Sequence, residues 1–98
     1  MNVRVGHGYD IHRTVAGRPL VLGGVTIDGP GLDGHSDADV VAHAVADALL
    51  GPAGLPDLGA RYPASDERWA GARSVDLLAD VAAAVAREGW WLQNVDVV

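Results

Sequence analysis

The apolar positions change period along the chain, and each change marks an element. Asn2–Val5 alternates, with Val3 and Val5 on one side, which predicts a short strand. Pro19–Leu22 is a continuous apolar run halted by Gly23-Gly24 and followed by Val25–Ile27, the pattern of two strand segments about a tight turn or bulge. Asp28–Gly34 (DGPGLDG) holds three glycines and a proline in seven residues and reads as loop. Ser36–Leu50 has helical spacing, with Val40, Ala44 and Ala48 along one side and Val41, Val45 and Leu49 beside them. Ser36 is the predicted N-cap, Asp39 its approximate capping-box partner, and Gly51-Pro52 the stop. Ala53–Ala72, interrupted by Pro56 and Pro63, reads as an ordered loop with a single turn. Ser74–Glu88 is the second helix, capped by Ser74, faced by Leu77, Leu78, Val81 and Val85, and ended by Gly89. Trp90–Val98 reads as a strand. The order β–β–β–α–loop–α–β predicts an α/β chain of the α+β kind, a small sheet of three to four strands with two helices on one face.

Length and composition narrow the picture. At 98 residues the chain is one domain, 1–98, and a domain of this size buries only about 60–65% of its unfolded surface. The apolar pattern continues to Val98, so the sheet is expected to be unfinished and the domain incomplete at its C-terminus, with an exposed edge that favours aggregation. The absence of Cys excludes disulfide frameworks and cysteine zinc sites. Thirteen acidic residues against seven arginines, net charge −6, argue against a nucleic-acid or acidic-membrane surface. In that setting Trp90-Trp91 reads as core or interface rather than as a base-stacking pair. No apolar run is long enough for a membrane span and Met1–Asp10 lacks a signal-peptide layout, so the expected location is the cytoplasm.

Candidate chemistry begins at Asp10-Ile11-His12. On an extended backbone, residues two apart point to the same side, so one metal ion can reach both side chains. His43, in the middle of the first helix, offers a third ligand, and two histidines with one carboxylate leave an open fourth position, as in catalytic zinc sites. The competing reading is a surface Asp, a solvated His12 and a helix histidine satisfied in the core. His35-Ser36 sits at the mouth of the first helix, where free N–H groups favour a phosphate. Ser36 acting as an N-cap and nothing more is the alternative. Asp47, one turn beyond His43, is a candidate for orienting that imidazole from behind, or else part of a solvated acidic stripe. Asp57-Leu58-Gly59 pairs a hydroxyl acceptor with a residue that permits close backbone approach, although an Asp after Pro is also ordinary turn chemistry.

The set is more specific than its members. GHGYDIH (Gly6–His12), HSDADVVAHAVADALLG (His35–Gly51) and LPDLGARYP (Leu55–Pro63) occur in that order, followed by ASDERWAGARSVDLL (Ala64–Leu78) and GWWLQNVDVV (Gly89–Val98). Over essentially the whole chain the sequence resembles the 2-C-methyl-D-erythritol 2,4-cyclodiphosphate synthases of the non-mevalonate isoprenoid pathway. The resemblance implies a homotrimer with active sites between subunits, acting on a diphosphocytidyl substrate. The substrate 2-phosphate attacks the β-phosphorus within the same molecule, and CMP leaves. It implies zinc on Asp10, His12 and His43, and a second divalent ion (Mg or Mn) bridging the diphosphate. His35 and Ser36 correspond to phosphate-binding residues, and His35 to a transition-state stabiliser. Asp57, Leu58, Gly59, Tyr62 and Asp66 would lie against the methylerythritol and ribose, with Asp10 and His12 also bordering the substrate.

Three positions depart from the family pattern: Ala38 and Ala64 stand where Gly and Asp are common, and Arg73 where Asp is common. The first reads as a harmless small-for-small exchange. The second removes a possible substrate contact. Members also continue with a segment that holds the cytosine pocket and a T-T-x-E stretch, whose Glu binds the second ion. No such stretch lies within residues 1–98, so these residues alone are expected to be inactive or nearly so. Two further readings use the same residues. One is a shortened, non-catalytic paralogue that keeps the zinc and phosphate site. The other is a metal-dependent phosphohydrolase, for which no water-activating base stands out.

Overall fold

The computed structural model describes residues 2–98. Four short strands come first: β1 (Thr14–Val15), β2 (Leu20–Leu22), β3 (Val25–Ile27) and β4 (Gly31–Leu32). Helix α1 (Val40–Leu50), the single turn α2 (Leu58–Arg61), a 3₁₀ turn at Glu67–Trp69 and helix α3 (Ser74–Arg87) follow. The architecture is α+β. The strands form two antiparallel ladders instead of one sheet: β1 with β4 (Thr14↔Leu32, Val15↔Gly31) and β2 with β3 (Leu20↔Ile27, Val21↔Thr26, Leu22↔Val25). The β2–β3 turn is Gly23-Gly24, with φ of 60° and 80°, a pair of left-handed positions that glycine occupies without a Cβ penalty.

Several expected boundaries are corrected. Asn2–Val5 and Trp90–Val98 are not strands. Neither is hydrogen-bonded to a partner strand among the described residues, and without a neighbour the alternation has no ladder to join. Trp90 packs against the core but Trp91 is 77% exposed. Asp28–Gly34 is not wholly loop, because Gly31–Leu32 is buried and pairs with β1. The 53–72 segment has two helical turns, not one.

The first helix starts at Val40, and Asp39 is its N-cap, accepting from the Ala42 N–H at 3.0 Å. Ser36 lies outside the helix, and its hydroxyl accepts from the Ala38 N–H at 3.1 Å. Between them Ala38 has φ of 57°, so its exchange with glycine is a change of backbone preference as well as of size. The left-handed conformation costs alanine about 1–2 kcal/mol relative to glycine, and burial of its methyl group offsets part of that.

Helix α3 is capped from outside. Arg73 occupies its N-cap position without a side-chain bond, while the Asp37 carboxylate accepts from the Ser74 N–H at 3.1 Å. Ser74 is therefore the first helical residue and not the cap. Replacing Arg73 with Asp supplies a cap and removes a cation from the positive helix end. A gain of about 0.5–1 kcal/mol is expected, read as a rise in thermal midpoint of roughly 2–8 °C. At the other end, Trp90 N–H reaches the Val85 carbonyl (3.2 Å) and Gly89 N–H the Ala86 carbonyl (2.9 Å), closing a Schellman motif with Trp90 against the core.

The core lies between α1 and α3. Ala46 and Leu50 meet Val81 and Val85, with Leu55, Leu58, Tyr62 and Leu78 packed around them. The α3 face is as the spacing predicts, but α1 buries Ala42, His43, Ala46 and Leu50 instead of the expected Val40 and Val41 rows.

Candidate metal centre and active-site cleft

Two glycines bring the N-terminal segment onto the backbone of α1. A Cβ on Gly8 would fall 1.8 Å from the Ala44 carbonyl oxygen, and one on Gly6 would fall 1.9 Å from that of Ala48. Only a residue with no side chain fits such an approach. The approach places Asp10 and His12 over the buried side of α1 where His43 projects. Gly8→Ala should push the segment away without touching a ligand. Zinc affinity is expected to drop more than about tenfold at unchanged helical circular dichroism, by analogy with losses from misplaced metal ligands.

Three donor atoms converge there. The His12 Nε2 and His43 Nδ1 atoms lie 2.9 and 3.2 Å from the same oxygen, Asp10 Oδ2, and 3.3 Å from each other. The side chains are mostly withdrawn from water, with 24, 19 and 11% exposure for Asp10, His12 and His43. His12 Nδ1–H donates to the Asp33 carbonyl at 2.7 Å, which turns the lone pair of Nε2 toward Asp10. A carboxylate oxygen and an imidazole lone pair facing each other at 2.9 Å require a cation or a proton between them. Donors on a tetrahedral ion with bonds of about 2.0–2.1 Å stand roughly 3.3 Å apart, so the set fits a divalent metal of the zinc class.

A cleft of about 260 Å³ opens over these donors. Its lining joins Asp10, His12 and His43 to His35 and Ser36, and also to Leu58, Gly59 and Tyr62 of the α2 region. Asp57 and Asp66 are close by but engaged locally. Asp57 caps α2 through the Ala60 N–H at 2.9 Å, and the Asp66 carboxylate clamps Arg68 at 2.7 Å. That clamp, chiefly the Arg68 side-chain hydrogen bond, holds the Asp66 carboxyl below its usual range. The Asp66 contact with the site runs through its carbonyl, which takes the His35 Nε2 proton at 2.9 Å. Ala64 also lines the cleft with its methyl group.

Asp47 does not stand behind His43. Its carboxylate accepts from the Leu58 N–H at 2.8 Å and so ties α2 to α1. Four contributors were not anticipated. Arg18 donates to the Gly34 and Ser36 carbonyls at 2.7 and 2.6 Å and fixes the loop carrying His35 and Ser36. Trp69 and Leu77 line the cleft, and Ser74 reaches His43 Nε2 at 2.7 Å. A solitary arginine or serine carries no local pattern that could have signalled these long-range contacts.

Tyr62 joins the cleft to α3 through a hydrogen bond from its phenol to Asp80, with Arg61 3.3 Å from the same carboxylate oxygen. Burial raises the Tyr62 phenol and the Asp80 acceptor adds to it, while the Tyr62 hydrogen bond lowers the Asp80 carboxyl. A carboxyl lowered by folding contributes stability above its unfolded pKa and loses it as pH falls through the folded value. The thermal midpoint of wild type should therefore exceed that of Tyr62→Phe at neutral pH, with the gap narrowing as Asp80 protonates.

Fold and site together define a small α+β domain in which two histidines and one carboxylate, a set able to hold a metal ion, lie at the floor of a cleft. The sequence profile of the YgbB family matches residues 3–98, and the chain belongs to that family. It is 58% identical over 97 residues to the 2-C-methyl-D-erythritol 2,4-cyclodiphosphate synthase of Synechococcus sp. (strain JA-2-3B'a(2-13)), covering 98% of this chain and 62% of that one. It is 56% identical over 99 residues to that of Thermosynechococcus vestitus, covering 100% and 62%. A solved synthase with CDP bound superposes with a TM-score of 0.79 at 45% identity, over 88% of this chain and 58% of that one. The chain thus spans about three-fifths of the length of the relatives it matches. Among the described residues no helix is long and apolar enough to cross a membrane.

Proposed function

We propose that residues 1–98 carry the metal centre and phosphate site of a cyclising phosphoryl-transfer enzyme, which converts 4-diphosphocytidyl-2-C-methyl-D-erythritol 2-phosphate to 2-C-methyl-D-erythritol 2,4-cyclodiphosphate and CMP. The observation that carries the reading is the convergence of Asp10 Oδ2, His12 Nε2 and His43 Nδ1 within 3.3 Å of one another in a cleft shared with His35 and Ser36. Its weight comes from the family of the chain. Zinc is the proposed ion, and when bound it supplies positive charge to substrate phosphate oxygens.

The chain's own residues supply alignment. An oxygen of the 2-phosphate forms the new bond to the β-phosphorus, and the bond from that phosphorus to the CMP oxygen breaks. Phosphoryl transfer of this kind needs positioning and charge neutralisation more than covalent help. A phosphate nucleophile is already ionised at neutral pH, so no general base is required. His35, held by the Asp66 carbonyl, and Ser36 bind substrate phosphate, with His35 stabilising charge in the transition state. Leu58, Gly59 and Tyr62, with Asp57 and Asp66 beside them, face the methylerythritol and ribose. A second divalent ion (Mg or Mn) on the diphosphate, a homotrimeric assembly and a cytoplasmic location complete the proposal. The test is product identity for the full-length protein. Stoichiometric CMP and cyclic diphosphate in the ³¹P spectrum support it, whereas released inorganic phosphate would mean a phosphohydrolase. Zinc binding without turnover would mean a non-catalytic relative.

A further inference from the structure

The arrangement behind His43 is more ordered than a metal ligand needs for packing alone. Ser74 opens α3 and is 1% exposed. Its hydroxyl oxygen lies 2.7 Å from His43 Nε2 on one side and 2.5 Å from Asp37 Oδ1 on the other. A carboxylate only accepts, so the single hydroxyl proton of Ser74 goes to Asp37. The Ser74 oxygen at 2.7 Å then faces His43 as its shorter acceptor, with the Ser36 hydroxyl oxygen 3.3 Å from the same nitrogen, and Nε2 of that ring carries the proton. Asp37 is itself held, since its carboxylate also accepts the N–H groups of Ser74 and Asp39, each at 3.1 Å. Its own N–H donates to the Ala72 carbonyl at 3.0 Å.

We infer that Ser74, backed by Asp37, is the positioning residue that locks His43 in its Nε2–H tautomer and thereby presents the Nδ1 lone pair to the metal. This inference rests on the metal reading above. It extends the carboxylate–histidine–metal arrangement by inserting a hydroxyl between carboxylate and ring. Because His43 belongs to α1 and Ser74 to α3, the affinity of the site for its ion depends on the docking of the two helices.

The same pair also caps α3, so a test must separate positioning from capping. Ser74→Ala removes the acceptor but keeps the N–H that bonds Asp37, while Ser74→Thr keeps both. Zinc affinity would be measured on the full-length protein by chelator competition, His43 tautomer by ¹⁵N-imidazole NMR of the metal-free form, and capping by its thermal midpoint. Wild type is expected to show His43 with Nε2 protonated and Nδ1 bare. Ser74→Ala should mix the tautomers and weaken zinc binding about 10–100-fold, and Ser74→Thr should restore affinity to within about threefold. Asp37→Asn should shift both readouts in the direction of Ser74→Ala. A Ser74→Ala protein with wild-type zinc affinity and an unchanged His43 tautomer overturns the inference, however far its midpoint falls. If wild type binds no zinc, the metal reading fails, and the tautomer spectra alone decide whether Ser74 sets the ring.

Discussion

Asp10→Ala is expected to abolish stoichiometric binding of a divalent ion to an otherwise folded protein. Asp10 Oδ2 is the one atom of the centre in contact with both imidazoles, at 2.9 Å from His12 and 3.2 Å from His43. It is also the only ligand of the three that carries negative charge when two neutral histidines complete the set. Without it the ion faces two neutral nitrogens, and affinity should fall by more than the hundredfold or so that accompanies loss of an outer partner. An ion held there would contribute several kcal/mol of charge stabilisation, so turnover by the full-length protein should drop by at least about a thousandfold. Isothermal titration with zinc and a CMP-release assay read the two effects. Retained binding at unit stoichiometry would place the ion elsewhere.

The second large effect concerns folding. Asp39 is completely buried, and its carboxylate accepts three backbone N–H groups: Gly23 at 2.9 Å, Gly24 at 2.7 Å and Ala42 at 3.0 Å. One residue thus starts α1 and pins the β2–β3 turn to it. Asp39→Ala removes the cap, about 1 kcal/mol, and the two charge-assisted bonds to the turn. Gly23 and Gly24 are exposed, so water replaces part of the loss at the turn. A net cost of about 2–4 kcal/mol follows, or a fall in thermal midpoint of roughly 10–25 °C. Asp39→Asn, which keeps one acceptor oxygen, should lose about half as much. Thermal melts of the metal-free protein measure both, and a shift of only a degree or two for the alanine variant would contradict the assigned role.

What the sequence disclosed follows from how local each determinant is. The α3 face was legible because polar residues interrupt its apolar stripe, leaving Leu77, Val81 and Val85 in register. The α1 face was not, because Val40–Leu50 is apolar almost all round, and alanine spacing does not say which side meets α3. The cap of α1 is ambiguous in the sequence because Ser36 and Asp39 are both cap-type residues. The left-handed turn at Ala38 separates them, and nothing in alanine announces a positive φ. Asp10, His12 and His43 stood out because their residue types carry metal chemistry and the surrounding motifs resemble one family. The glycine contacts that carry the first two toward the third are tertiary, although Gly6 and Gly8 were visible as residues. Helical spacing alone points to Asp47 as the support of His43. The structure gives that position to Ser74, 31 residues away in sequence, where no periodicity reaches.

The proposed function depends on the location of one ion. The most direct measurement is anomalous diffraction at the zinc edge from crystals of the full-length protein loaded with zinc. The predicted result is a single strong peak bonded to Asp10 Oδ2, His12 Nε2 and His43 Nδ1. A zinc-loaded crystal with density at other residues and none among these three would contradict it.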